Sequence, residues 1–455
     1  MDAGLGYFGD ERRERCGEFV ARRMSERQTV CVRNLADDRA EQLRVRRFLA
    51  NEAVTVEEMV SHRAMFVAAA AKGRHVLAIQ DTSEVNYQAQ KDRKRRLGKV
   101  GNGTDVGLFV HPVLGVDADS GECLGLIDVQ VWRRTKSKAA NYKALPIEQK
   151  ESYRWLIGGA QAKAVLGEAA TVTVLDDREA DIYEKWDRLP DVSTHLLTRA
   201  SRDRALADGG RLFATLASFP QAHRFPLNVQ ARPGKQRARQ ATMAVRFRSV
   251  RIRRPTSCSD RNASDEIELS AIEVRELNPP PGQTQILWRL LTTHTVETVE
   301  QALTVIGWYR LRWHIEQLFR TLKRQGLRVE ESVTEDGEAL EKLVTIALIV
   351  AATTMQLVLS LAAGDHEAPA SRVFTPEQIE VLRALQKKLQ GRTRKQQNPF
   401  APDSLAWAAW TIARLGGWTG YRSDHSNGPI TMRDGLERLA GIVDGYLLAK
   451  NVRPS

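Results

Sequence analysis

The sequence predicts an α/β protein in which a mixed-sheet core carries a β-rich insertion and is flanked at both ends by helices. Three observations carry that expectation. HVLAI at 75–79 and TVTVL at 171–175 are short and almost continuously apolar or β-branched, as strands buried on both faces are. Each ends on acid, at Asp81 in one case and at Asp176-Asp177 in the other. Between about 202 and 285 helical spacing gives way to Pro, Gly and alternating segments, whereas 1–55 and 364–455 read as helical throughout.

At 455 residues the chain has room for two to four domains of roughly 100 to 200 residues each. Lys and Arg total 68 against 56 Asp and Glu, a formal charge of +12, and the pI is near 9.6, a balance that favours nucleic acid as partner. Cys16, Cys31, Cys123 and Cys258 form no C-x-x-C pair, so neither a zinc site nor a disulfide framework is expected, and the setting is expected to be reducing and cytoplasmic. The first residues lack the apolar stretch of a signal peptide. The longest apolar run, 343–361, is broken by Thr345, Thr353, Thr354, Gln356 and Ser360, so no membrane span is expected.

Taken in order, residues 1–55 read as short helices rich in arginine (Arg12, Arg13, Arg15, Arg22, Arg23, Arg44, Arg46, Arg47), with Gly9-Asp10 as a cap for the first. Such helices suit either a solvated face or a DNA-reading one. Thr55 and Glu58 form a capping-box pattern that opens a helix running to Gly73 and puts a domain boundary near Thr55. Behind Asp81 lies the basic run KDRKRRLGK at 91–99, followed by the glycine-rich GNGTDVG, a loop suited to solvation or to phosphate. Residues 108–132 read as a hairpin about the turn at Asp117 to Gly121, and 148–167 as a helix. A helix is expected at once after Asp177, its macrodipole accounting for Glu179 and Asp181. Asp176 and Asp177 remain equal candidates on this reading. VRFRSVRIRR at 245–254 alternates as a strand, and a bulge near Ser249 is needed to bring Arg246, Arg248, Arg251 and Arg253 to one face. NPPPG at 278–282 is a turn and QILWRLLTT at 285–293 a strand. After Lys323 a helix reaches about Ala363, GDHEAPASR breaks it, and further helices follow, two of them joined by GRTRKQQNPF.

The stretch WYRLRWHIEQLFRTLK at 308–323 organises the rest and reads as one helix without Pro or Gly. Trp308, Leu311, Ile315, Leu318 and Leu322 recur at three and four, an apolar stripe for a core. Tyr309, Arg312, Glu316 and Lys323 share a second face. Arg312 and Glu316 make an ordinary i,i+4 pair; the same face also suits a metal-bound phosphodiester, with the carboxylate on the metal and the cations and phenol on phosphate.

The order strand with Asp, hairpin, helix, strand with Asp, insertion, helix with Glu resembles the ribonuclease H-like core of DDE transposases. IQDTS, DREAD and the Y-x2-R-x3-E-x6-K spacing of Tyr309, Arg312, Glu316 and Lys323 resemble the cut-and-paste transposases of the insertion-sequence-four group, typified by the transposon-five enzyme. GDERR, NPPPG and ARLGGW extend the resemblance over almost the whole chain. It implies an acidic triad of Asp81, Asp177 and Glu316 that binds two Mg²⁺ ions, with Mn²⁺ as substitute. It also implies phosphate contacts from Tyr309, Arg312 and Lys323, a flipped base on Trp288, and Arg199 near the cleaved phosphate. Phe319 and Arg320 depart from the polar residue and the lysine of the family pattern. The implied activity is nicking, hairpin formation, hairpin opening and strand transfer on double-stranded DNA. The implied organisation is a DNA-binding domain at 1–55, a catalytic domain at 56–363 with the insertion at about 202–285, and a dimerisation domain at 364–455, acting as a homodimer. The rivals are a nuclease that cuts without strand transfer and a transposase-derived DNA-binding protein.

Overall fold

The computed structural model describes residues 4–134, 141–229, 231, 237–363, 368–421 and 427–452. Its first helices start where local chemistry caps them. The Asp10 side chain accepts from Arg12 N–H at the head of α1 (Glu11–Arg27); α2 (Val32–Leu35) is a single turn; Asp38 accepts from Glu41 N–H to begin α3 (Arg39–Ala50). Caps of this kind are worth about 1 kcal/mol. Thr55 caps α4 (Val56–Ala71), but the second half of the expected capping box is not made. Glu58 Oε1 instead accepts from Phe8 N–H at 2.5 Å and ties the chain start to α4.

β1 (His75–Gln80), β2 (Ser83–Asn86), β3 (Gly98–Val100) and the long β4 (Asp105–Asp117) with β5 (Cys123–Trp132) follow, the last two forming the expected hairpin. α5 (Arg154–Val165) begins later than 148, because 3₁₀ turns occupy Ile147–Gln149 and Glu151–Tyr153. β6 (Thr171–Asp176) lies parallel to β1 with Ile79 opposite Leu175, so both chains leave the sheet at one level. A 3₁₀ turn, Arg178–Ala180, precedes α6 (Tyr183–Arg188), so no helix starts at Asp177. β7 (Thr194–Arg199) is parallel to β6.

The 202–285 region contains one helix the sequence did not suggest, α7 (Leu212–Ser218), then β8 (His223–Val229), β9 (Arg239–Arg253) and β10 (Glu266–Leu277). β11 (Leu287–Thr292) joins β10 to β7, so the insertion prolongs the core sheet into eleven strands ordered β2-β4-β1-β6-β7-β11-β10-β9-β8, with β3 and β5 also on β4. β9 pairs with β10 without interruption from Thr242 to Arg253. No bulge lies near Ser249, and strand period 2 sends Arg246 and Arg248 to one face and Arg251 and Arg253 to the other.

The expected single helix over 308–323 is a longer, irregular rod: α8 (Val299–Leu311), α9 (Trp313–Arg320) and a π turn, Thr321–Gln325. The ladder tightens around Arg312, where Arg312 and Ile315 N–H bond carbonyls three residues back. At the far end Gly326 passes so near the Thr321 carbonyl oxygen that a Cβ would lie 2.7 Å from it. α10 (Gly337–Ser360) starts only where Asp336 caps it. α11 (Pro376–Leu389), α12 (Leu405–Leu415) and α13 (Pro429–Val452) complete the chain, with 391–400 between α11 and α12 as expected. Residues 364–367 of the helix-breaking segment lie outside the described residues.

Helices cover both faces. Leu77 and Ile79 of β1 point into a cluster with α8, α9 and α10; Val76 and Ala78 point into the opposite one with α5, α6 and α7. The N-terminal helices share the first cluster, Val20, Met24, Val45 and Phe48 packing in the same core as Leu343 and Ile346. Leu357 at the end of α10 joins a third cluster with α11, α12 and α13. α10 is long and apolar enough to cross a membrane, but 94% of its most apolar window is buried inside the fold.

Candidate active site

Parallel register brings Asp81 and Asp177 to the adjacent C-terminal ends of β1 and β6, and the central rod brings Glu316 across them. One guanidinium links the set. Arg312 Nη1 lies 3.2 Å from Asp81 Oδ2 and Nη2 lies 3.3 Å from Glu316 Oε1. Burial works against the Arg312 charge, yet Asp177, Tyr309, Asp81 and Glu316 hold its pKa above the usual value. Burial pushes the Asp81 carboxyl up to about 7, against the pull of Arg312 and of Thr82 N–H, with Asp177 and Glu316 adding to the rise.

Of the other expected contacts, Tyr309, Trp288 and Arg199 lie together and Lys323 stands apart. Tyr309 is buried, which raises its phenol, and its ring centroid lies 5.9 Å from that of Trp288. Trp288 is half-buried and packs against the core. Arg199 Nη2 donates to the Leu287 carbonyl at 2.8 Å, one residue from Trp288. Lys323 lies in the π turn, 3.6 Å from Glu330, at the far end of the rod.

Several readings of the neighbourhood change. Glu179 and Asp181 do not serve a helix dipole: Glu179 pairs with Arg154 at 2.7 Å. Asp181 is buried, pairs with Arg204, and accepts from Ser201 and Arg202 N–H at 2.8 and 2.9 Å, pinning the root of the insertion. The basic run at 91–99 is partly taken up within the fold: Lys94 Nζ donates to the Ser332 and Thr334 carbonyls at 2.6 and 2.7 Å and Arg96 pairs with Asp336 and Glu338, while Lys91, Arg93 and Lys99 are exposed. Asp176 is fully buried and pairs with Lys185, also fully buried, while Gln80 and Thr198 donate to it at 2.7 and 3.0 Å. Sequence reasoning missed Gln80, Thr82, His111 and Arg154, which surround the two strand ends; the polar triplet Gln80-Asp81-Thr82 closing an apolar strand was the available signal.

Three carboxylates supply hard oxygen donors of the kind Mg²⁺ and Mn²⁺ take. Asp177 Oδ1 is buried with no hydrogen-bond partner, an acceptor that a cation would satisfy. As they stand, no three His, Cys, Asp or Glu side chains among the described residues close on a common point, and the Arg312 fork holds Asp81 and Glu316. The residues fit a divalent ion in donor type, with a guanidinium supplying the counter-charge.

Comparison with known proteins agrees with this chemistry. A cryo-EM structure of the piggyBac transposase synaptic complex with hairpin DNA is similar at a TM-score of 0.40 and 10% sequence identity, over 98% of this chain and 74% of that one, a likeness too slight to support any step here. Residues 119–352 match the family described as Transposase DDE domain, a span that begins after Asp81 and includes Asp177 and Glu316. Because that match takes in just over half of the sequence, the chain belongs to the DDE transposase family.

Proposed function

We propose that the protein is a cut-and-paste DNA transposase of the insertion-sequence-four group, resembling the transposon-five enzyme, with a ribonuclease H-like core. The observation that carries the reading is the meeting of Asp81, Asp177 and Glu316, far apart in sequence, around one arginine fork. Asp177 offers its unpartnered oxygen, and Asp81 and Glu316 offer oxygens now held by Arg312. The chemistry supplied by two Mg²⁺ ions when bound is activation of the attacking water or 3′-hydroxyl and stabilisation of the leaving oxygen. Arg312 neutralises the acids in the DNA-free protein and turns its fork to a phosphate when DNA enters, releasing the carboxylates as it does so. Lys323 and Arg199 hold neighbouring phosphates. The half-buried ring of Trp288, backed by the buried Tyr309, suits a base turned out of a tight hairpin. Residues 1–55 read the element's ends and 364–455 pair two subunits in a cytoplasmic homodimer.

Duplexes made from the DNA flanking the gene, incubated with the protein and Mg²⁺, should give nicked, hairpin and joined products in that order. Nicks alone would favour the simple nuclease. Products that persist in excess chelator, or with Asp177→Ala, would overturn the site.

A further inference from the structure

The buried polar side chains around the ends of β1 and β6 form one chain of hydrogen bonds whose direction is fixed. Gln80 Nε2 donates to the Trp155 carbonyl at 3.1 Å and to Asp176 Oδ1 at 2.7 Å. With both its N–H groups engaged, Gln80 Oε1 can only accept, so its 2.9 Å contact with His111 runs from Nε2–H. His111 is completely buried, and burial together with Arg154 and Lys185 holds it far below its usual value, hence neutral. Its bare Nδ1 accepts from the Thr82 hydroxyl at 2.9 Å, and that oxygen accepts from Arg154 Nε–H at 2.7 Å. A flipped Gln80 amide would point its oxygen at a carboxylate and a carbonyl, so the order has no alternative.

The positions this chain visits are what matter. Gln80 precedes Asp81, Asp176 precedes Asp177, and Thr82 follows Asp81 and gives its own N–H to Asp81 Oδ1 at 2.8 Å. Helix α5 can approach Gln80 only because residue 158 is glycine, where a Cβ would lie 2.4 Å from Gln80 Oε1. We infer that Thr82, gripped by His111 and Arg154, is a positioning residue for Asp81, and that the Gln80–Asp176 bond sets the spacing of Asp81 and Asp177. The Thr82 N–H holds Oδ1 of Asp81 and leaves Oδ2 to the Arg312 fork, the oxygen that would be offered to a metal ion, while the cross-strand bond stops the two strand ends from parting. This rests on the reading of Asp81 and Asp177 as the acids of phosphodiester chemistry.

A network that merely satisfies buried groups predicts lost stability and nothing else, so the test needs a different readout. Mn²⁺ affinity measured by calorimetry on the full chain, nicking rate and melting temperature should be followed for wild type, Thr82→Val and Thr82→Ser. Thr82→Val should weaken Mn²⁺ affinity and slow nicking by about 10- to 100-fold, as loss of a group orienting a ligand does, and Thr82→Ser should restore both. Wild-type affinity and rate in Thr82→Val, or equal losses in Thr82→Ser, would overturn the proposal. Should Thr82→Val melt below the assay temperature, Arg154→Lys decides, since it keeps the charge but not the fork; unchanged Mn²⁺ affinity there overturns it too. A wild-type protein that neither binds Mn²⁺ nor nicks DNA defeats the reading of the site instead.

Discussion

Asp176 and Asp177 are neighbours in sequence and opposites in environment. Asp176 lies wholly inside, paired with a Lys185 that is equally enclosed. Removing one member of such a pair leaves a bare buried charge, at a cost of about 3–5 kcal/mol. Asp176→Ala should therefore lower the melting temperature sharply, whereas Asp177→Ala, which removes an oxygen without a partner, should melt near wild type and fail to nick. Equal melting temperatures would show the buried pair to be weak. Trp288 poses a similar choice between packing and function, being half-buried against the core and tilted toward Tyr309. Loss of a base-stacking ring removes roughly 1–3 kcal/mol, or about 5- to 150-fold, so Trp288→Ala should retain nicking as hairpin formation falls. Uniform loss of all products with a lowered melting temperature would mark it as core alone.

At the opposite end of β1 from Asp81 the sheet gathers histidines. His75 at the start of β1, His195 in β7 and His294 just after β11 meet beside Trp308, with His195 and His294 stacked at 4.0 Å and Thr173 Oγ1 bonded to His75 and His294 at 2.8 and 2.7 Å. Burial, first of all, lowers all three, and it takes His294 from 6.5 to about 3. A base whose folded value is depressed contributes stability that is present above its unfolded value and lost as pH falls toward the folded one. The cluster should thus destabilise the protein on acidification from about pH 6.5 to pH 3, and His294→Gln should flatten that slope in melting curves taken across the range. An identical acid slope in the variant would clear the cluster of responsibility.

At the scale of the molecule, the terminal helices share apolar clusters with α10, so deleting 1–55 would uncover a core and say little about DNA recognition. Surface charge is the better probe. Arg46 and Arg47 are exposed on α3, and replacing both with Ala should weaken binding to the element's ends and reduce its salt dependence while leaving the melting temperature unchanged. Unaltered binding at physiological salt would move recognition elsewhere. Ile442 and Leu448 are exposed apolar residues on α13. Ile442→Asp with Leu448→Asp should leave single-end complexes that do not pair in gel-shift assays; paired complexes would show another surface to be the dimer contact.

The sequence by itself determined the elements whose signal is local: the two buried strands with their terminal acids, the hairpin, the caps at Asp10 and Thr55, and the apolar stripe of Ile315, Leu318 and Leu322. It also placed Arg312 and Glu316 on one helical face, since four residues suffice for that. Tertiary structure decided what depends on partners distant in the chain. Only the approach of Lys185, Gln80 and Thr198 separates a clamped Asp176 from an Asp177 whose Oδ1 has no partner; only the approach of Arg204 makes Asp181 a pin for the insertion; only residues 332–338 take up Lys94 and Arg96 of the basic run. A side chain's type sets what it can bond, but its role follows from which charge or surface the fold brings within about 3 Å, and spacing along one element cannot encode that.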